Sequence, residues 1–159
     1  MIDSTELEVQ FPNSFSPLTT LFDHSSWNER GLKTYRCSVF PSFLTTISEL
    51  VRHVDNATEK DKKVYRDRFF NFLSTICSNS LIYTKSSMDN NSYEVINQPT
   101  IEDIIKLTEK SSLNLFAPEY SIVLWGHDDF GFLILLSKDT TLDKIFIEVI
   151  AKSGLYLTV

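Results

Sequence analysis

Glycine is scarce in this chain: Gly31, Gly126, Gly131 and Gly154 are the only four in 159 residues. Spread so thinly, they can write neither a GxGxxG dinucleotide fingerprint nor a P-loop, which nearly excludes the common nucleotide enzymes. Cysteine is scarcer still. Cys37 and Cys77 are too few for a disulfide-stapled scaffold and lack the paired spacing of a structural zinc site, so both are expected as reduced thiols buried as small hydrophobes. No run approaches the ~18 uninterrupted apolar residues of a membrane span, and the opening MIDSTELEVQF has no basic patch followed by an apolar stretch. The expectation is a cytoplasmic protein without a signal peptide or membrane association.

Basic charge is short as well. Fifteen Lys and Arg face 21 Asp and Glu, for a net charge of −6. Between Glu94 and Glu148 ten carboxylates stand against Lys106, Lys110, Lys138 and Lys144, so ten minus four places the whole excess in that stretch. Phosphate neutralisation needs the opposite sign, so nucleic acid is not expected as a partner and a basic protein surface is. The one basic cluster, Lys60, Lys62, Lys63, Arg66 and Arg68, is interleaved with Glu59, Asp61 and Asp67, the pattern of a solvated helix.

Apolar material is plentiful. Hydrophobic residues make up 42% of the chain, with twelve Phe, six Tyr and two Trp, enough to build one core at roughly 25 cal/mol per Å² buried. The length suits a single globular domain over residues 1–159. Residues 1–33, broken by Pro12 and Pro17, read as an irregular N-terminal arm.

Residues 34–40 alternate as a half-buried strand, with Cys37 on its inward side. Pro41 suits a first helical turn, and Phe43, Ile47, Leu50, Val51 and Val54 form one stripe of a helix ending near Asp55. Thr58 with Asp61 caps a second helix carrying Tyr65, Phe69, Phe72, Leu73 and Ile76. Two short strands over 80–85 and 92–97 follow, then a helix capped by Thr100 and Asp103 with Ile101, Ile104, Ile105 and Thr108 facing inward. Residues 122–125 and 132–136 are continuously apolar, as in strands covered on both faces, and are expected at the centre of the sheet. Residues 140–154 fit helix and strand alike; the threonines before them, Lys152 and Gly154 favour a helix. The last five residues read as a strand. The fold class expected is α+β: one domain, a mainly antiparallel sheet and three or four helices.

Chemistry is hard to find. Asp129-Phe130-Gly131 imitates the magnesium triplet of protein kinases, but every other kinase element is missing. His127, Asp128 and Asp129 offer metal-type ligands, yet neighbours on one turn diverge and no second cluster completes a shell, so no metal and no cofactor are expected. No catalytic residue is assigned among His24, His53, His127 and the two cysteines. What the stretch YSIVLWGHDDFGFLILLS offers instead is a core hairpin with an exposed acidic, aromatic tip. Glu119, Trp125, His127, Asp128, Asp129, Phe130 and Asp139 are the candidate partner-binding residues, aromatics anchoring and carboxylates steering.

With LWGHDDFGFLILL as its nearest specific element, the chain resembles in overall character the immunity proteins of bacterial toxin systems, above all those of contact-dependent growth inhibition. That resemblance implies a monomeric inhibitor that neutralises a cognate toxin domain, often a nuclease, by covering its active site or a neighbouring surface. Two other classes stay open: a regulatory or adaptor domain that binds proteins, and a small enzyme using His127 and Asp128 as an acid–base pair.

Overall fold

Alternating and continuously apolar segments of the chain come together in one sheet. The computed structural model describes residues 1–10, 33–41, 46–78, 80–85, 92–109, 113–120, 122–127, 131–136 and 143–158. The strands are β1 (Ile2–Asp3), β2 (Lys33–Ser38), β3 (Leu81–Lys85), β4 (Ser92–Asn97), β5 (Asn114–Ala117), β6 (Ile122–His127), β7 (Gly131–Leu136) and β8 (Tyr156–Thr158). They lie in the order β1-β4-β3-β5-β6-β7-β2-β8, and every neighbouring pair is antiparallel. β5 and β6 are the middle of the sheet and β7 lies next to them, as the apolar runs imply. The fold is α+β with an antiparallel sheet.

Five α-helices occur among the described residues: α1 (Ser4–Gln10), α2 (Ile47–Leu50), α3 (Glu59–Cys77), α4 (Ile101–Thr108) and α5 (Asp143–Lys152). α2 widens into a π-type turn over Val51–Asp55. α4 carries the chain from β4 to β5 across β3, and α5 carries it from β7 to β8 across β2. In an antiparallel sheet strands two places apart run parallel, so each of these links needs a crossover rather than a hairpin.

The main core fills the space between one sheet face and α3, α4 and α5. It contains Phe69, Phe72, Leu73 and Ile76 of α3, Ile104 and Leu107 of α4, Phe146 and Ile150 of α5, and Ile82, Leu115, Ile122 and Leu124 of the sheet. Tyr83, Phe116 and Val123 are buried too. Each sits between core residues of its strand or beside one, so the period of two turns it to the other sheet face. Tyr83 and Phe116 are paired across β3 and β5 and stack with ring centroids 5.9 Å apart. Both faces of the central strands are therefore covered.

The helix starts follow the local rules. Thr58 and Thr100 each accept from the backbone N–H three residues on, at 3.2 Å, while the carboxylates of Asp61 and Asp103 accept from the threonine N–H at 3.1 and 2.9 Å. α5 ends as its Gly154 signals: Gly154 adopts φ +77, its N–H donates to the Ala151 carbonyl and that of Leu155 to Ile150. This pair of bonds is a Schellman closure, and it settles 143–152 as a helix.

Several expectations are corrected. The irregular arm does not extend over residues 1–10, which form β1 and α1, and residue 33 already belongs to β2. Asp3 acts as the cap of α1: its carboxylate accepts from the Thr5 N–H at 2.7 Å, and Glu6 accepts from the Asp3 N–H at 3.4 Å. The rest of the arm, 11–32, lies outside the described residues. Residues 42–45, the first turn expected after Pro41, lie outside the described residues; α2 starts after Thr46, whose capping box with Glu49 uses bonds of 3.2 Å. Along the stripe Val54 packs against the core, while Ile47 is 81% exposed and Val51 41%. On α4 the inward pair is Ile104 and Leu107, with Ile101 and Ile105 turned out. β5, at four residues, carries too short an alternation to be read in advance.

Candidate functional site

The hairpin that carries most of the candidate residues is formed as expected. Ile122 pairs with Leu136, Leu124 with Ile134 and His127 with Gly131. Trp125 stands on β6 opposite Asn114 of β5 and Leu133 of β7. Asp128, Asp129 and Phe130 of the tip, and Asp139 beyond β7, lie outside the described residues. Glu119 is exposed on a 3-10 turn, Pro118–Tyr120, that leads into β6.

The strand separates these residues. Glu119 precedes Ile122 at one end of β6 and His127 closes the other end. Five steps at about 3.3 Å put Ile122 and His127 roughly 17 Å apart. Glu119 and His127 thus stand at opposite ends of β6.

A different surface is assembled on the helical side. α3 and α4 pack side by side and leave a groove of about 290 Å³ lined by Arg66, Asp67, Phe70, Ile105, Thr108 and Glu109. Ile101 precedes Ile105 by one helical turn and extends the stripe, being 68% exposed against 42% for Ile105. Glu102 and Glu109 are exposed beside them. Asp103 is held below its usual pKa by the hydrogen bonds it accepts from the Thr100 side chain and backbone, so the start of α4 remains negative.

The sequence signal for this surface is the width of the apolar arc. At 3.6 residues per turn, Leu107, Ile104, Ile101 and Ile105 spread over roughly 160° of an eight-residue helix, more than the ~100° stripe that one packed face requires. The surplus is Ile101 and Ile105. Counting all isoleucines as core conceals it.

Both cysteines are buried, and desolvation pushes each thiol up to about 12. His53 is exposed and its ring lies 5.7 Å from that of Phe40. Among the described residues no group of three His, Cys, Asp or Glu is placed to hold a metal ion, and no helix is long and apolar enough to cross a membrane. Comparison with protein-family models, with curated proteins and with solved structures finds no match.

Proposed function

We propose that this chain is an immunity-type inhibitor that binds a basic toxin domain in the cytoplasm and blocks it one to one. The observation that carries the reading is the acidic, partly apolar surface. Glu102 and Glu109 are exposed on α4 beside Ile101 and Ile105, in the stretch that bears the entire net charge of −6. Carboxylates around apolar side chains suit a cationic protein surface: the charges steer encounter and the apolar groups hold the complex. The paired β6–β7 hairpin is compatible with the same role for Trp125 and His127 at its end.

The test is co-expression with the product of the adjoining reading frame. Growth should be rescued, and the two chains should co-purify with an association rate that falls as salt rises. Toxicity undiminished by this chain, with no complex formed, would remove the proposal.

A further inference from the structure

We infer that the groove between α3 and α4 seats one large apolar side chain of the partner, with a lysine or arginine of the same segment lying beside it. The inference rests on the reading that the partner is basic and names where and how it docks.

Three features converge. The groove has an apolar wall from Phe70 and Ile105, continued along α4 by Ile101, so a partner side chain entering it would cover apolar surface that water now meets. Its volume, about 290 Å³, falls at the bottom of the ~300–1,000 Å³ range of small-molecule sites and suits a single Leu, Met or Phe anchor better than a cofactor. Its rim is electronegative at one end for two reasons. Glu109 is the C-cap of α4 and lines the groove, so a carboxylate sits on the negative end of the helix dipole, where a cation is favoured. Lys106 is the only basic residue of the last turn, and Asp67 on the α3 side of the groove adds further negative charge. Arg66 lies on the α3 side of the same groove and sets a limit: an acidic partner segment would face two or more carboxylates for that one guanidinium.

The same arithmetic argues against a second copy of this chain as the occupant. A protein of net charge −6 would bring its own acids to this rim, and like charges across an interface are costly.

Titration of the isotope-labelled full chain with a short synthetic peptide bearing one Phe between lysines reads the site directly by NMR. The expected result is a set of saturable amide shifts confined to residues 66–70 and 101–109, weakened by salt. Ile105→Ser and Glu109→Lys should each weaken binding about tenfold, the equivalent of about 1.4 kcal/mol. Ile101→Ser, at the more exposed position, is the second apolar variant should Ile105→Ser not fold. Shifts that do not saturate, that centre elsewhere, or that persist when the peptide's Phe is replaced by Ser or its lysines by Glu would overturn the assignment. A concentration-dependent dimer abolished by Ile105→Ser would overturn it too, in favour of self-association. Neutralisation of the adjoining gene product separates the two levels. Protection retained in full by a folded Ile101→Ser/Ile105→Ser variant rejects the groove and leaves the inhibitor reading standing. Failure of the unaltered chain to protect rejects that reading, and the peptide titration then decides the groove alone.

Discussion

At the residue scale, Arg68 ties together parts of the chain that no helix or strand connects. Its Nη1 donates to the Val39 carbonyl at 3.0 Å, and its side chain runs past Gly154, where an added Cβ would stand 3.4 Å from its Nε. Val39 is buried, so Arg68→Ala removes a donor to its carbonyl; the expected loss is about 1–3 kcal/mol, read as a lower denaturant midpoint with unchanged slope. Arg68→Lys should recover only part, since an ammonium lacks the planar fork. The two thiols make the opposite kind of statement. Burial raises both to about 12, so neither should react with a disulfide reagent at pH 8 until the chain is unfolded, when both should. The folded-state values lie above the unfolded one, so the neutral thiols' contribution is whole below about pH 9 and fades as pH rises toward 12. Rapid labelling of either thiol in the native protein would contradict their place in the core.

At the element scale, helix ends contribute separable increments of stability. Thr58→Ala deletes the acceptor for the Asp61 N–H and should cost about 1 kcal/mol, visible in the thermal midpoint. The hydrogen bonds that Asp61 and Asp103 accept lower their pKa, so both caps strengthen the fold above the ordinary carboxylate value of 3.8 and lose that contribution as pH falls below it. Gly154→Ala is expected to cost about 1–2 kcal/mol because φ +77 is a left-handed conformation, and the 3.4 Å contact with Arg68 adds little of its own. These ends were legible in the sequence because each is a local rule: a threonine three residues before an acid, a glycine just past a helix. The α1 cap was equally local, yet the prolines that follow hid it behind the look of an arm. Which side of a helix meets the core is not local. The isoleucines of α4 satisfy an inward stripe in more than one way, and only the position of α3 selects Ile104 and Leu107.

At the scale of the whole molecule, the sequence revealed the sheet's middle because strands covered on both faces must be apolar throughout, and 122–125 and 132–136 are. It could not reveal that Glu119 and His127, eight residues apart, are carried to opposite ends of β6, since that depends on β6 being extended along its whole length. The consequence bears on any partner. A standard interface takes about 800 Å² from each protein, a patch roughly 30 Å across if round, wide enough to reach both ends of a strand roughly 17 Å long. Charge reversal at Glu119 and truncation at His127 therefore report whether one complex covers the whole length of β6 or only one of its ends. With the proposed toxin partner as ligand, a loss of about tenfold or more at only one of Glu119→Lys and His127→Ala places the contact at that end of β6, and such losses at both place it along the strand. If the α3–α4 groove is the main contact, Glu109→Lys should exceed both, because it reverses charge at the negative end of α4 beside the apolar seat. Calorimetry on the three single variants ranks the surfaces.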